Sequence, residues 1–123
     1  MRSALFVFLG AGIGGVLRHL VGLAALRWLG PGFPWGTLFV NVAGAALIAA
    51  IAGFFATRNF GGPELRLFLA TGVCGGFTTW STFSLDVVTL WERGRPAAAL
   101  GYVAASLVLS FAVLTTVLML ARR

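Results

Sequence analysis

Apolar positions fill four long stretches of the chain, and polar residues gather at their ends. A helix needs about 20 apolar residues to cross the hydrocarbon core. Residues 3–26, 35–57, 63–91 and 97–121 each reach that length. Arg27 with Gly30, Pro31, Gly32 and Pro34 ends the first stretch, RNFGGP (58–63) the second and ERGRP (92–96) the third. Pro63 and Glu64 suit a helix first turn, and Arg122 and Arg123 close the chain. The apolar run of the N-terminal MRSALFVFLGAGIGG continues past Leu20 without a clear cleavage signal, so it reads as a retained transmembrane helix. The pattern predicts an all-α integral membrane protein of four transmembrane helices, forming a single domain over 1–123.

The third stretch is interrupted. It contains GVCGGFTTWSTFSLD (72–86), two adjacent glycines followed by a crowd of hydroxyls. Glycine is a poor helix former and threonine a mediocre one. A break is the expectation near 75–79. Such a break must be buried in protein or line a polar cavity, because lipid cannot satisfy a freed backbone. Broken helices also offer ions opposite partial charges. Carbonyls near Gly75 suit a cation, and N–H groups near Thr78 and Thr79 suit an anion or a hydroxyl cap. The alternative is a continuous helix whose glycines pack closely and whose hydroxyls bond to their own i−4 carbonyls. Beyond the break, Trp80, Phe83 and Val87 share a face, and aromatic edges turned inward could stabilise an anion.

Two further stripes are polar. Thr37, Asn41 and Gly44 share a face of the second stretch, and Tyr102, Ser106 and Ser110 step by four along the last. Interhelical bonding alone would explain one such stripe. Two stripes with a broken helix point to a polar pathway. Gly10, Gly14 and Arg18, then Ala11 and Gly15, then Ala97, Gly101 and Ala105 make small-residue faces for helix contact. Four short helices enclose little space, so a pathway calls for more than one copy.

Composition narrows the class. The chain has 123 residues, 59% of them hydrophobic and only 10% charged, and a mean hydropathy of +0.99. A soluble domain carries about a quarter charged residues. All nine basic residues are arginine, and they stand singly at segment ends. That distribution fits lipid headgroups rather than nucleic acid. If the ends alternate sides, Arg2, Arg58, Arg66, Arg122 and Arg123 face one side, and Arg18, Arg27, Arg93 and Arg95 the other. Orientation follows an arginine and lysine excess. A split of five against four predicts weak orientation, and so an antiparallel pair of copies inserted both ways up. Cys74 is the single cysteine, which excludes an intrachain disulfide and reads as small apolar filler. His19 reads as a segment-end residue. Asp86 is expected to pair with Arg18, since both lie toward the same side.

GAGIGGVLRHL, PWGTLFVNVAG, TGVCGGFTTWSTFSLD and LGYVAASLVLS together resemble the Fluc (CrcB-type) family of fluoride channels over essentially the whole chain. The resemblance implies an antiparallel, dual-topology homodimer with two fluoride pathways lined by both subunits. It implies a structural sodium ion on the two-fold axis, held by the backbone carbonyls of Gly75 and Thr78 from each subunit. Asn41 matches the asparagine whose amide donates to fluoride, and Phe83 the second of two pore phenylalanines. Ser81, Thr82, Tyr102, Ser106 and Ser110 match the hydroxyl-bearing track, Thr37 joins the pathway through the polar stripe it shares with Asn41, and Arg18 matches a vestibule arginine. Two departures stand out: Trp80 replaces the first pore phenylalanine, and His19 stands where an aromatic is common.

The implied function is passive, selective export of cytoplasmic fluoride across the inner or plasma membrane of a bacterium. Its partners would be fluoride, sodium, membrane lipid and a second copy, with no nucleic acid. One alternative is a proton-coupled small multidrug-type exporter, which needs an intramembrane carboxylate. The acids are only Glu64, Asp86 and Glu92. A structural membrane protein without transport is the other. No nucleophile or acid–base constellation suggests an enzyme.

Overall fold

A computed structural model describes residues 1–58 and 61–123. The turn expected over 58–63 includes Asn59 and Phe60, which lie outside the described residues. The elements are α1 (Arg2–Leu29), α2 (Trp35–Thr57), α3 (Gly62–Arg66), a π-helical segment (Leu67–Cys74), α4 (Gly75–Phe77), α5 (Trp80–Glu92) and α6 (Pro96–Ala121). The run from α3 through α5 forms one rod, so the described residues make four rods. By length and hydropathy, α1, α2 and α6 can each cross a bilayer. Large apolar side chains cover their outer faces: Phe8, Leu20, Val108 and Phe111 are all exposed. Such faces suit lipid as solvent.

The contacts give the rods an alternating direction. Arg2 Nε lies 3.4 Å from Glu64 Oε1, which puts the starts of α1 and α3 at one end. Ala121 packs on Gly53, so α2 and α6 finish together. Gly36 packs on Gly22 and Ala25, so α2 starts beside the last turns of α1. At the opposite end from Arg2, Gly94 turns the chain from α5 into α6 with φ of 75°, a conformation that L side chains rarely adopt. Pro96 then starts α6 within its first turn, where a missing N–H is harmless.

Small residues let α1 lie against the interrupted rod. A Cβ on Gly72 would meet Gly10 Cα at 2.9 Å and Ala11 N at 3.3 Å. Backbones this close can exchange only glycine for glycine. Gly10 and Gly14 therefore serve as the sequence predicted. Gly15 and Gly101 face open space within this chain, so the face shared by Ala97, Gly101 and Ala105 meets no helix of its own subunit there. The best-buried cluster sits between α5 and α6, where Phe83, Leu90, Ala99 and Tyr102 pack with Phe33 and Leu38.

Candidate functional site

The interruption is two residues long. The helix runs through Gly75 and Gly76 and ends at Phe77. Thr78 (φ −91°, ψ 159°) and Thr79 (φ −153°, ψ 122°) are extended. The turn that contains the glycines closes as an ordinary helical turn. Thr78 N–H donates to Cys74 O at 3.0 Å, and Thr78 Oγ1 donates to the same carbonyl at 2.9 Å.

Extended residues strand the groups that an unbroken helix would pair, and neighbouring side chains take them up. Thr79 N–H donates to Asn41 Oδ1 at 2.8 Å, and Asn41 Nδ2 donates to Thr79 O at 3.0 Å. The amide of α2 thus imitates a backbone partner for one residue of the break. Arg18 Nε donates to Gly76 O at 3.3 Å, in place of the N–H that a continued helix would supply. Thr82 N–H donates to Thr79 Oγ1 at 3.2 Å, a threonine N-cap for α5. Gly44 makes room for this docking: a Cβ there would collide with Thr78 Cγ2.

One consequence is a cleft of about 310 Å³ lined by Asn41, Thr78, Thr79, Trp80, Phe83, Ser106, Leu107, Ser110 and Phe111. The two polar stripes and the break meet here. Ser106 Oγ is buried without a hydrogen-bond partner among the described residues. A buried hydroxyl is normally bonded, so this one is free for a ligand. Asn41 Nδ2 carries two protons and spends one on Thr79. Trp80 and Phe83 have ring centroids 5.2 Å apart at 42°, and Phe83 and Tyr102 5.1 Å apart at 51°. The cleft therefore offers hydrogen-bond donors and aromatic surface, with its one carbonyl of known partner already occupied by Asn41.

Other residues singled out in the sequence stand apart from this cleft. Arg18, Thr37 and Thr82 line a second crevice of about 290 Å³ with His19. Ser81 is exposed, with its Oγ 3.5 Å from Thr79 Oγ1. Tyr102 is fully buried and reaches the cleft only through Phe83. Gly75 is exposed and borders a third hollow with Asn41 and Cys74, while half-buried Thr78 lines both that hollow and the cleft.

The expected Arg18–Asp86 pair does not form. Arg18 is turned to the end of α4, and Asp86 Oδ2 accepts from Tyr102 Oη at 3.1 Å. Helix-end position alone suggested the pairing. The stranded Gly76 carbonyl and the tyrosine of α6 decide it otherwise. Phe33, edge-on to Tyr102 at 5.4 Å and 82°, and Leu107 and Phe111 of the cleft were also missed. Leu107 and Phe111 are four apart and each follows a serine of the stripe, the one signal that could have found them.

A family model described as CrcB-like protein, Camphor Resistance (CrcB), matches residues 5–118. A fluoride-specific ion channel FluC of Granulibacter bethesdensis is 50% identical over 122 residues, covering 99% of this chain and 96% of that protein. Its namesake in Mesorhizobium japonicum is 47% identical over 122 residues, covering 99% and 98%. That of Nitrobacter winogradskyi is 53% identical over 106 residues, covering 86% and 84%.

Proposed function

The chain belongs to the CrcB-like family, and from that membership we infer that it is a fluoride-selective passive channel in a bacterial membrane. The relatives named above are fluoride-specific channels. The observation that carries the reading onto this chain's own residues is Ser106 Oγ, buried and unpartnered in the cleft shared with Asn41, Phe83 and Ser110.

Fluoride is small and strongly hydrated, so a route through the membrane must replace its water with donors. The second amide proton of Asn41 and the hydroxyls of Ser106 and Ser110 can do so at one place. The rings of Trp80 and Phe83 add positive edges without fixing the ion. A site too tight would hold the ion, so several moderate donors serve conduction better than one strong charge. Arg18, in the crevice with Thr37 and Thr82, would gather the anion at the vestibule. Tyr102 backs Phe83 from behind, and Ser81 lies on the side away from the subunit core. An inside-negative potential supplies about 2.3 kcal/mol per 100 mV for each departing anion. Hydrogen fluoride enters as a neutral acid and ionises inside, so a passive route suffices for export. No residue needs to act as an enzyme's would.

The break placed at mid-membrane depth accounts for the care with which its backbone is satisfied. A structural sodium ion fits its remaining carbonyls. Thr79 N–H is diverted from Gly75 O to Asn41, and Thr82 N–H from Thr78 O to Thr79 Oγ1. Both carbonyls are thereby released, and neutral oxygens suit a hard cation. One subunit supplies two of them; a second copy crossing at this point would supply two more. The exposure of Gly75 and Trp80, the open face at Gly101 and the near-even arginine split all support an antiparallel, dual-topology homodimer with two pathways. The exporter alternative lacks support: Glu64 is paired to Arg2 at an end, Glu92 ends α5, and Asp86 is bonded to Tyr102.

Purified protein in liposomes, with a potassium gradient and valinomycin, tests the function. Fluoride efflux read by electrode should be fast, chloride efflux absent, and Asn41→Asp inactive. A folded dimer that passes no fluoride would overturn the reading.

A further inference from the structure

We propose that the indole N–H of Trp80 is a hydrogen-bond donor to the anion in the cleft, and that it sets how firmly the ion is held. The proposal rests on the channel reading above.

Trp80 is the first residue of α5, directly after the extended pair, and its ring leans on buried Phe83. It is 73% exposed in the single subunit, yet it lines the cleft with Asn41, Ser106 and Ser110. Indole Nε1–H can only donate. Among the described residues it makes no hydrogen bond. The cleft's own acceptors, the hydroxyls of Ser106 and Ser110 and the amide oxygen of Asn41, take no bond from it. Hydrocarbon offers no acceptor, and an N–H left bare at membrane depth is costly. An anion in the cleft is the acceptor that satisfies it. The same anion would take the free hydroxyl of Ser106 and the spare amide proton of Asn41.

A phenylalanine at this position would present only ring edges. The indole adds a directional donor, and a donor to a charged acceptor is among the stronger hydrogen bonds. The ion therefore rests deeper at this point than at its neighbours, and leaves more slowly. Flux should saturate at low fluoride concentration, with a reduced ceiling.

Trp80→Phe and replacement of Trp80 by benzothienylalanine separate the donor from the bulk. Benzothienylalanine keeps the fused ring and lacks the N–H. Initial fluoride efflux from liposomes is measured against internal fluoride concentration. Both variants are expected to raise the half-saturating concentration about tenfold and to raise the maximal rate, while chloride stays excluded. If benzothienylalanine saturates like the unaltered protein, ring size governs holding and the proposal fails. Unchanged saturation in Trp80→Phe defeats it as well. Absence of fluoride flux from the unaltered protein would instead overturn the channel reading itself.

Discussion

Ser106→Ala separates a residue kept for the ion from one kept for the fold. Ser106 is 6% exposed, and its hydroxyl has no partner among the described residues. A buried hydroxyl without a partner costs about 1–3 kcal/mol. Alanine removes that cost and one oxygen's volume. The lost volume opens onto a cleft of about 310 Å³, so no sealed void is created. The net change in stability is therefore between zero and about 2 kcal/mol in favour of the variant. Conduction should move the other way. A hydrogen bond to a charged group is worth about 1.5–3 kcal/mol, so fluoride passage should slow roughly ten- to hundredfold. Unfolding in detergent or bicelles gives the first quantity, and fluoride efflux per folded chain the second. A variant that loses more than about 1 kcal/mol while conducting at the original rate would refute the reasoning. Ser106 would then be a structural hydroxyl with a partner outside the single subunit.

Four further outcomes follow from the geometry. Asn41→Ala should cost about 1–4 kcal/mol in the same unfolding assay, because both backbone groups of Thr79 lose their partner; Asn41→Asp should keep the Thr79 N–H bond but still stop efflux. Gly72→Ala drives a Cβ to 2.9 Å from Gly10 Cα and should destabilise by about 1–3 kcal/mol, whereas Gly101→Ala, facing open space, should leave the isolated subunit's packing unchanged by hydrogen exchange. Thr79→Val removes the cap of α5 and should cost about 1 kcal/mol, with Thr79→Ser restoring it. Arg2→Gln should shift stability by less than about 1 kcal/mol, since the pair with Glu64 is largely exposed, and salt titration should show the same insensitivity.

The sequence carried the interruption clearly, since glycines and hydroxyls inside an apolar run have few other uses at membrane depth. The observed break falls inside the expected 75–79, at its C-terminal end, with Gly75 and Gly76 still helical. Glycine marks where a helix is weak, but the backbone leaves the helix where side chains can receive the freed groups, and those are Asn41, Arg18 and Thr79. Asn41 was legible as a costly polar residue in need of a bond. Its partner was not, because that partner is the backbone of a residue 38 positions away. Arg18 went to a carbonyl for the same reason: stranded backbone groups have no signature in side-chain identity. The π-helical stretch Leu67–Cys74 was likewise silent, being an adjustment to close packing against α1. Ser106 and Ser110 were legible from their spacing, which the uninterrupted helix α6 preserves.

The borrowed partners of the break also fix an order of events during biogenesis. Residues of α1, α2 and α6 complete their own backbone bonding and are apolar enough to enter lipid as independent units. The rod between them cannot. Its extended pair stays unsatisfied until Asn41 of α2 and Arg18 of α1 are already beside it. The third segment must therefore be handed from the insertion machinery to helices that preceded it in synthesis. The cleft beside the break closes only later, when α6 brings Ser106 and Ser110 against it.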